Sequence, residues 1–350
     1  MRVLITGHTG FIGRNLHAYL KGEGFEVAGI DVASPRADEQ VDIRDADALG
    51  RVFARVRPEA VVHLAALASV PLCEKRPEYA HEVNADGTRA VARLCAKHGA
   101  WLVFMSSAAV YGNPALLPTP TTAPQRPVNV YGETKVLGER HIREELGADA
   151  VIFRLFNAYG ERCERSYVIP DVIRKALSGL NPIPMQGLGS EARDFVYIRD
   201  VLTAIRQAVE GDVSGTYNLG TGHSTDIRTV AGLVIRELGL SQVGLRFEDE
   251  SRVGDFRVSW ADVSDGNTLP GWAPAWALPD GVRNTVSHYV SRVRLSRTPE
   301  NPWLAIGEHP PRATPSVYGH AFTPVTRDQP PLVPLRAPAR RPVERPVESP

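Results

Sequence analysis

Short β-branched runs alternate with longer stretches whose apolar residues recur every three or four positions. The series runs VLIT (3–6), FIGRNLHAYL (11–20), EVAGI (26–30), ALGRVFARV (48–56), AVVHLAA (60–66) and ADGTRAVARLCAKHG (85–99). It continues through WLVFMSS (101–107), a Pro-rich loop, a helix from about Tyr131 to Leu146, and AVIFRLF (150–156). Strands that alternate with helices predict an α/β, Rossmann-type, doubly wound parallel sheet, with ligands at the carboxyl ends of its strands. Beyond about Asn157 the pieces shorten: VIPDVIRKAL, RDFVYIRDVLTAIRQAVE, TYNLGTG and a helix over 279–296. They predict a smaller, interleaved C-terminal lobe. The expected division is a dinucleotide-binding domain over 1–160, a later contribution to it from about 193–222, and a mainly substrate-binding lobe over 161–296. In the remaining 297–350, where 13 of the chain's 28 prolines fall, no packing pattern is visible, and disorder is expected.

Composition narrows the classes. At 350 residues with 43% hydrophobic content the chain can build a core without staples. Forty basic and forty acidic residues cancel, so the general attraction expected of a nucleic-acid binder is absent and an anionic ligand must be met locally. Cys73, Cys95 and Cys163 have neither metal-ligand spacing nor an even count, which fits a reduced, cytoplasmic protein without a metal. The opening MRVLITG is too short an apolar run for a signal peptide or a membrane span. Five of the forty basic residues are lysine, so each lysine is informative.

TGHTGFIG (6–13) lies between the first strand and the first helix, where a phosphate-cradling turn belongs. Gly7 and Gly10 allow a tight turn and close approach of a pyrophosphate; Phe11 and Ile12 open the helix at the cofactor and are expected to bind it, and Gly13 lets helix and sheet pack. Asp31 ends the second strand, where a carboxylate accepts from a ribose 2′-OH and repels a 2′-phosphate; this favours NAD, although Arg36 nearby suits a 2′-phosphate. Asp42 and Ile43 can hold an adenine by its amino group and ring face, and Asp42 also fits a helix cap. Tyr131 and Lys135 stand one turn apart on one helical face, so an ammonium is available to stabilise a phenolate. Ser107 ends the fifth strand and can donate to a substrate hydroxyl or a developing oxyanion.

In order along residues 1–290, TGHTGFIG, Asp31, DIRD, HLAA (63–66), NADGT (84–88), SSAAVYG (106–112), YGETK, RLFNAYG (154–160), RDFVYIRD (193–200), NLGTG (218–222) and RVGDFRVSWAD (252–262) resemble the motifs of extended short-chain dehydrogenases/reductases. The chain is similar to the NAD-dependent epimerase/dehydratase family that acts on nucleotide-sugars. That resemblance implies Ser107, Tyr131 and Lys135 as the catalytic trio, with Tyr131 removing a sugar hydroxyl proton as hydride leaves for NAD. It implies that Leu64, Ala65, Ala66, Asn84, Ser106 and Phe156 line the cofactor, and that Asn157, Arg193 and Arg252, with Ser107 and Tyr131, meet the nucleotide-sugar. A homodimer paired through two helices, one of them carrying Tyr131, is implied by the same analogy.

Reaction type rests on the residues next to Ser107. Family members that lose water or carbon dioxide carry acidic residues nearby, whereas this chain has Ala108 and Ala109. Reductase-epimerases of the GDP-fucose type use an added Cys and His, where Ala108 and Tyr167 stand here. The expectation is therefore an isomerase resembling UDP-glucose 4-epimerases, acting through a transient 4-keto sugar. A 4-ketohexose reductase, a dehydratase, and a non-catalytic nucleotide-binding protein on the same fold are the alternatives.

Overall fold

The strand β1 (Arg2–Thr6) leads into the helix α1 (Phe11–Gly22), followed by β2 (Glu26–Asp31), β3 (Glu39–Gln40), α2 (Ala46–Val56) and β4 (Ala60–His63). Two short helices, α3 (Val70–Lys75) and α4 (Pro77–His81), pass through a π turn at Glu82–Asp86 into α5 (Gly87–His98). Then come β5 (Trp101–Ser107), a 3₁₀ turn at Ala108–Tyr111, α6 (Val130–Leu146), β6 (Ala150–Leu155), β7 (Asn157–Tyr159) and α7 (Val168–Leu177). The remainder is β8 (Ile183–Gln186), β9 (Ala192–Arg193), β10 (Phe195–Tyr197), α8 (Ile198–Glu210), β11 (Gly215–Leu219), β12 (Thr225–Asp226), α9 (Ile227–Glu237), β13 (Leu245–Glu248), β14 (Val258–Ser259) and α10 (Leu278–Leu295). This computed structural model describes residues 1–33, 39–163, 167–211, 213–248 and 258–295. Arg36, Arg252 and the Pro-rich stretch 297–350 lie outside the described residues.

Among the described residues, seven parallel strands form the main sheet in the order β11-β6-β5-β4-β1-β2-β3. Both faces are covered, and the strand sequences show how. Val3 and Ile5 of β1, Val62 of β4, Val103 and Met105 of β5, and Val151 and Phe153 of β6 enter one core with α1, α8 and the later helices. The alternate residues Leu4, Val61, Leu102, Phe104 and Ile152 enter a second core with Leu49, Val52 and Phe53 of α2, Val91 and Cys95 of α5, and Ile142 of α6. Side chains alternate across a strand, so continuous apolar runs serve both layers at once.

The order reverses between β1 and β4, where successive crossovers leave for opposite sides and a crevice opens beyond the strand ends. Thr6 pairs with His63 at that point, so the residues after both strands share the crevice. β6 stops at Leu155 and the chain peels away at Phe156 into β7, which pairs with β10 in a separate two-stranded sheet. That step places Asn157 beside residues 193–195, and its backbone N–H donates to the Asp194 carbonyl (2.9 Å). Among the described residues no helix is long and apolar enough to cross a membrane, and no cluster of three or more His, Cys, Asp or Glu could hold a metal ion.

Candidate active site

The turn after β1 is shaped by what its glycines lack. At Gly7, with φ +71°, an added Cβ would lie 2.7 Å from the Ala65 backbone nitrogen; at Gly13 it would lie 2.3 Å from the Gly7 carbonyl oxygen. Any other residue would push the turn away from β4 or off α1. Gly10 caps α1 without a side-chain acceptor, and no acidic residue occupies the first turn, so the exposed N–H groups and the positive end of the helix are left for an anion. The Asp31 carboxylate is fixed by two backbone donors, Thr9 N–H (3.1 Å) on one oxygen and Ala33 N–H (2.9 Å) on the other. Each oxygen keeps a lone pair for a ribose hydroxyl. Glycine turn, free helix end and oriented carboxylate together fit a dinucleotide.

The HLAA segment is held by a buried chain of hydrogen bonds. The Thr88 hydroxyl donates to the Asn84 carbonyl (2.6 Å), so its oxygen accepts from His63 Nε2 (2.9 Å), and His63 Nδ1 accepts from the Thr6 hydroxyl (2.6 Å). Ala65 N–H closes the chain onto Thr6 Oγ1 (3.2 Å). Burial forces the imidazole to stay neutral, bringing its pKa down to about 3, and the Lys135 charge acts in the same direction. Leu64, Ala65 and Ala66 are thereby set, half-buried, against the glycine turn.

Ser107, Tyr131 and Lys135 are brought together by β5 and α6. Asn129 caps α6 by accepting from Gly132 N–H (2.8 Å), which puts Tyr131 in the first turn and Lys135 one turn on. Ser107 Oγ accepts from Ala109 N–H (3.1 Å), and its hydrogen bond to Tyr131 favours the phenolate. Burial pushes the Tyr131 phenol well above its ordinary value; the neighbouring Tyr167 adds to this, and Ser107 pulls back. Burial brings the Lys135 ammonium down to about 8, opposed by Glu139 and Cys73. The hydrogen bond of Lys135 goes to the Met105 carbonyl (2.9 Å), and its nitrogen lies 5.9 Å from the Tyr131 ring centre.

Three of the residues expected to line the cofactor are already engaged by protein partners. Asn84, fully buried, accepts from Leu67 N–H (2.7 Å) and donates to the Leu67 carbonyl (3.1 Å) and Thr134 Oγ1 (3.0 Å), tying the loop after β4 to α6. Ser106 donates to Glu139 Oε1 (2.7 Å). Asp42 is engaged by Arg44, whose Nη2 lies 2.7 Å from its carboxylate, and that contact holds its pKa below the ordinary carboxylate value. The helix cap expected at Asp42 is Asp45, which accepts from Ala48 N–H (2.9 Å). Ile43 is buried, and Phe156 is packed 6.4 Å from the Tyr111 ring.

On the other side of the crevice, Asn157 is half-buried and its amide has no partner among the described residues. Arg193 is buried and donates to the Ala192 carbonyl (3.0 Å). Beside it, Asp194 gathers Thr221 N–H (2.8 Å), the Thr221 hydroxyl (2.6 Å), Gly222 N–H (3.0 Å) and Ala261 N–H (3.1 Å). That carboxylate, which fixes the NLGTG loop, escaped sequence reasoning; the signal available was an acidic residue inside the apolar run RDFVYI. A buried network around Glu139 and Arg154 also escaped, although Glu139 stands at helical spacing from Lys135 and Arg154 interrupts an apolar strand.

A doubly wound sheet with a glycine turn at its switch point, and a Ser, a Tyr and a Lys converging beyond β5, defines an extended short-chain dehydrogenase/reductase. The chain belongs to the NAD-dependent epimerase/dehydratase family, whose model matches residues 3–220. A UDP-glucose 4-epimerase from Mycolicibacterium smegmatis is 31% identical over 315 residues, 83% of this chain and 98% of that one. The crystal structure of a UDP-glucose 4-epimerase from Thermotoga maritima with UDP-glucose matches with TM-score 0.78 at 28% identity, covering 84% of this chain and 100% of that one. The Thermus thermophilus UDP-glucose 4-epimerase in complex with NAD matches with TM-score 0.76 at 30% identity, covering 83% and 99%.

Proposed function

We propose that this protein is an NAD-dependent nucleotide-sugar 4-epimerase acting on UDP-hexoses. The observation that carries the reading is the Ser107–Tyr131–Lys135 cluster with two alanines, Ala108 and Ala109, buried in the adjoining 3₁₀ turn. Neither can transfer a proton, so loss of water or carbon dioxide, which needs a further acid or base, has no residue there to serve it. The UDP-glucose 4-epimerases among the relatives support the same class and the choice of UDP.

Gly7, Gly10, Gly13 and Asp31 would hold NAD, whose nicotinamide supplies a reversible hydride acceptor for the sugar carbon. Tyr131 takes the C4 hydroxyl proton as that carbon becomes a ketone and returns it when the alcohol re-forms on the opposite face. Ser107 donates to the same oxygen and limits the charge that builds there. Lys135, with one donor on Met105, has two more for ribose hydroxyls and lends its positive charge to the phenolate. Residues 161–296 mainly form the substrate lobe in this reading, apart from the contribution of about 193–222 to the dinucleotide-binding domain, and Asn157, Arg193 and Arg252 receive the diphosphate and its sugar.

The test supplies purified protein with UDP-glucose, UDP-galactose, their N-acetyl and uronate relatives, and GDP- and dTDP-hexoses, and tracks C4 configuration by NMR. Inversion of a UDP-hexose without net consumption of cofactor is expected. No inversion of any of them overturns the reading, and stoichiometric NAD(P)H consumption with a 4-keto sugar assigns a reductase instead.

A further inference from the structure

Glu139 lies one turn beyond Lys135 on α6, so the two side chains share a helical face. Both are buried, and the Glu139 side chain has no exposed surface. Its carboxylate is met from β5, β6, α6 and the loop before α6. Ser106 Oγ (2.7 Å) and Arg154 Nε (3.0 Å) donate to Oε1. Arg154 Nη2 (2.8 Å), Arg143 Nη2 (2.8 Å) and Gln125 Nε2 (2.6 Å) donate to Oε2. Arg154 turns its remaining nitrogen away, to the Tyr111 hydroxyl (3.1 Å) and the Thr121 carbonyl (2.8 Å).

Two carboxylate oxygens offer about four lone-pair sites, so these donors saturate the group. No site remains for Lys135, and the carboxylate acts on it only through space, where low polarizability makes a fixed charge effective. The other groups facing the ammonium are Tyr131 on its own helix, His63 on β4, Cys73 on α3, and Phe104 and the Met105 carbonyl on β5. Burial keeps Tyr131, His63 and Cys73 uncharged, the Cys73 thiol being pushed up to about 11. Of these groups, Glu139 alone carries a negative charge at neutral pH.

We propose that Glu139 is a positioning residue for Lys135: a carboxylate locked by Arg154 and Ser106 one turn behind the lysine, which keeps the ammonium charged inside packed protein. The same bonds anchor Ser106, and with it the end of β5 that presents Ser107, to the helix that presents Tyr131. The role explains why a buried ion pair sits behind the site. A neutral pair of similar volume would pack there with less desolvation, but would leave the lysine without its counter-charge.

The test reads Lys135 directly and does not require turnover, so it stands or falls separately from the proposed reaction. The chain has five lysines, Lys21, Lys75, Lys97, Lys135 and Lys175, so ¹³Cε-lysine NMR gives few resonances, and Lys135→Met assigns the one of interest. In the wild-type chain its midpoint is expected near pH 8. In Glu139→Gln the midpoint is expected to fall by on the order of one pH unit. Glu139→Gln combined with Arg154→Gln removes the pair without leaving a lone buried cation, and it is expected to shift the midpoint the same way by less. A midpoint that stays at the wild-type value in the folded double variant overturns the proposal. The alkaline limb of kcat is expected to move with the NMR midpoint, whereas a purely structural role would lower kcat at every pH and leave the limb in place.

Discussion

The most informative residue is Tyr131, because its surroundings work against ionisation. Burial and the Tyr167 phenol raise it, and only the Ser107 bond favours the phenolate. In the proposed reaction, a base in that condition is effective only while positive charge stands nearby, the part given to Lys135. Tyr131→Phe removes the proton acceptor and leaves the packing of the ring. Turnover is expected to fall about 10²–10⁴-fold with little change in bound cofactor, measured by coupled assay and by mass spectrometry of the retained ligand. Asp31 supports a second prediction. Its two oxygens are fixed by backbone N–H groups and cannot swing aside, so a 2′-phosphate would meet a stationary negative charge. Asp31→Gly is expected to improve NADP binding relative to NAD by roughly tenfold or more, read by titration calorimetry with each dinucleotide. The glycine turn and the Tyr131–Lys135 pair were legible from sequence because local spacing places them, whereas Ser107 was singled out by the order of the family's motifs and meets Tyr131 only through the packing of β5 on α6. The partners of Asn84 and Ser106 were not legible, because they arrive from elsewhere in the chain, whereas Arg44 stands only two residues from Asp42 and competes with an adenine for it locally.

Among the elements, the junction of β1, β4 and α5 carries the clearest pH dependence. His63 joins Thr6 of the first to Thr88 of the last and is buried in its neutral form. Its folded pKa, about 3, lies below the ordinary 6.5. The unfolded chain therefore binds the proton more readily. The neutral imidazole's contribution to stability is complete above about pH 6.5 and is lost as pH falls toward the folded value, by about 1.4 kcal/mol per pH unit. Urea unfolding between pH 7 and 4.5 is expected to show a steeper loss for the wild type than for His63→Asn, which has no proton to gain. Equal slopes would remove His63 from the account. The main helices and strands are set by apolar periodicity, and α6 begins one residue from its expected start because Asn129 supplies the cap. The two-residue strands β3, β9, β12 and β14 have no periodicity to read, since their pairing depends on chain brought from a distance.

At the scale of the whole molecule, resemblance to the family implies pairing of two chains through helices of the dinucleotide-binding domain. α5 and α6 pack against each other, and Arg89 and Arg93 of one share Glu145 of the other (2.8 and 2.9 Å). Light scattering after size exclusion is expected to report two chains of 38.2 kDa each, and a monomer at working concentration would remove the analogy. By itself the sequence determined the doubly wound sheet, the dinucleotide turn and the Tyr131–Lys135 pair, because periodicity and spacing along one helix or one turn suffice for each. Only the tertiary structure decided that Lys135 donates to the Met105 carbonyl, that Glu139 and Arg154 stand behind it, and that Asp194 fixes the NLGTG loop. A buried charge must find its counter-charge and its donors wherever the fold brings them, and no local pattern records where that is.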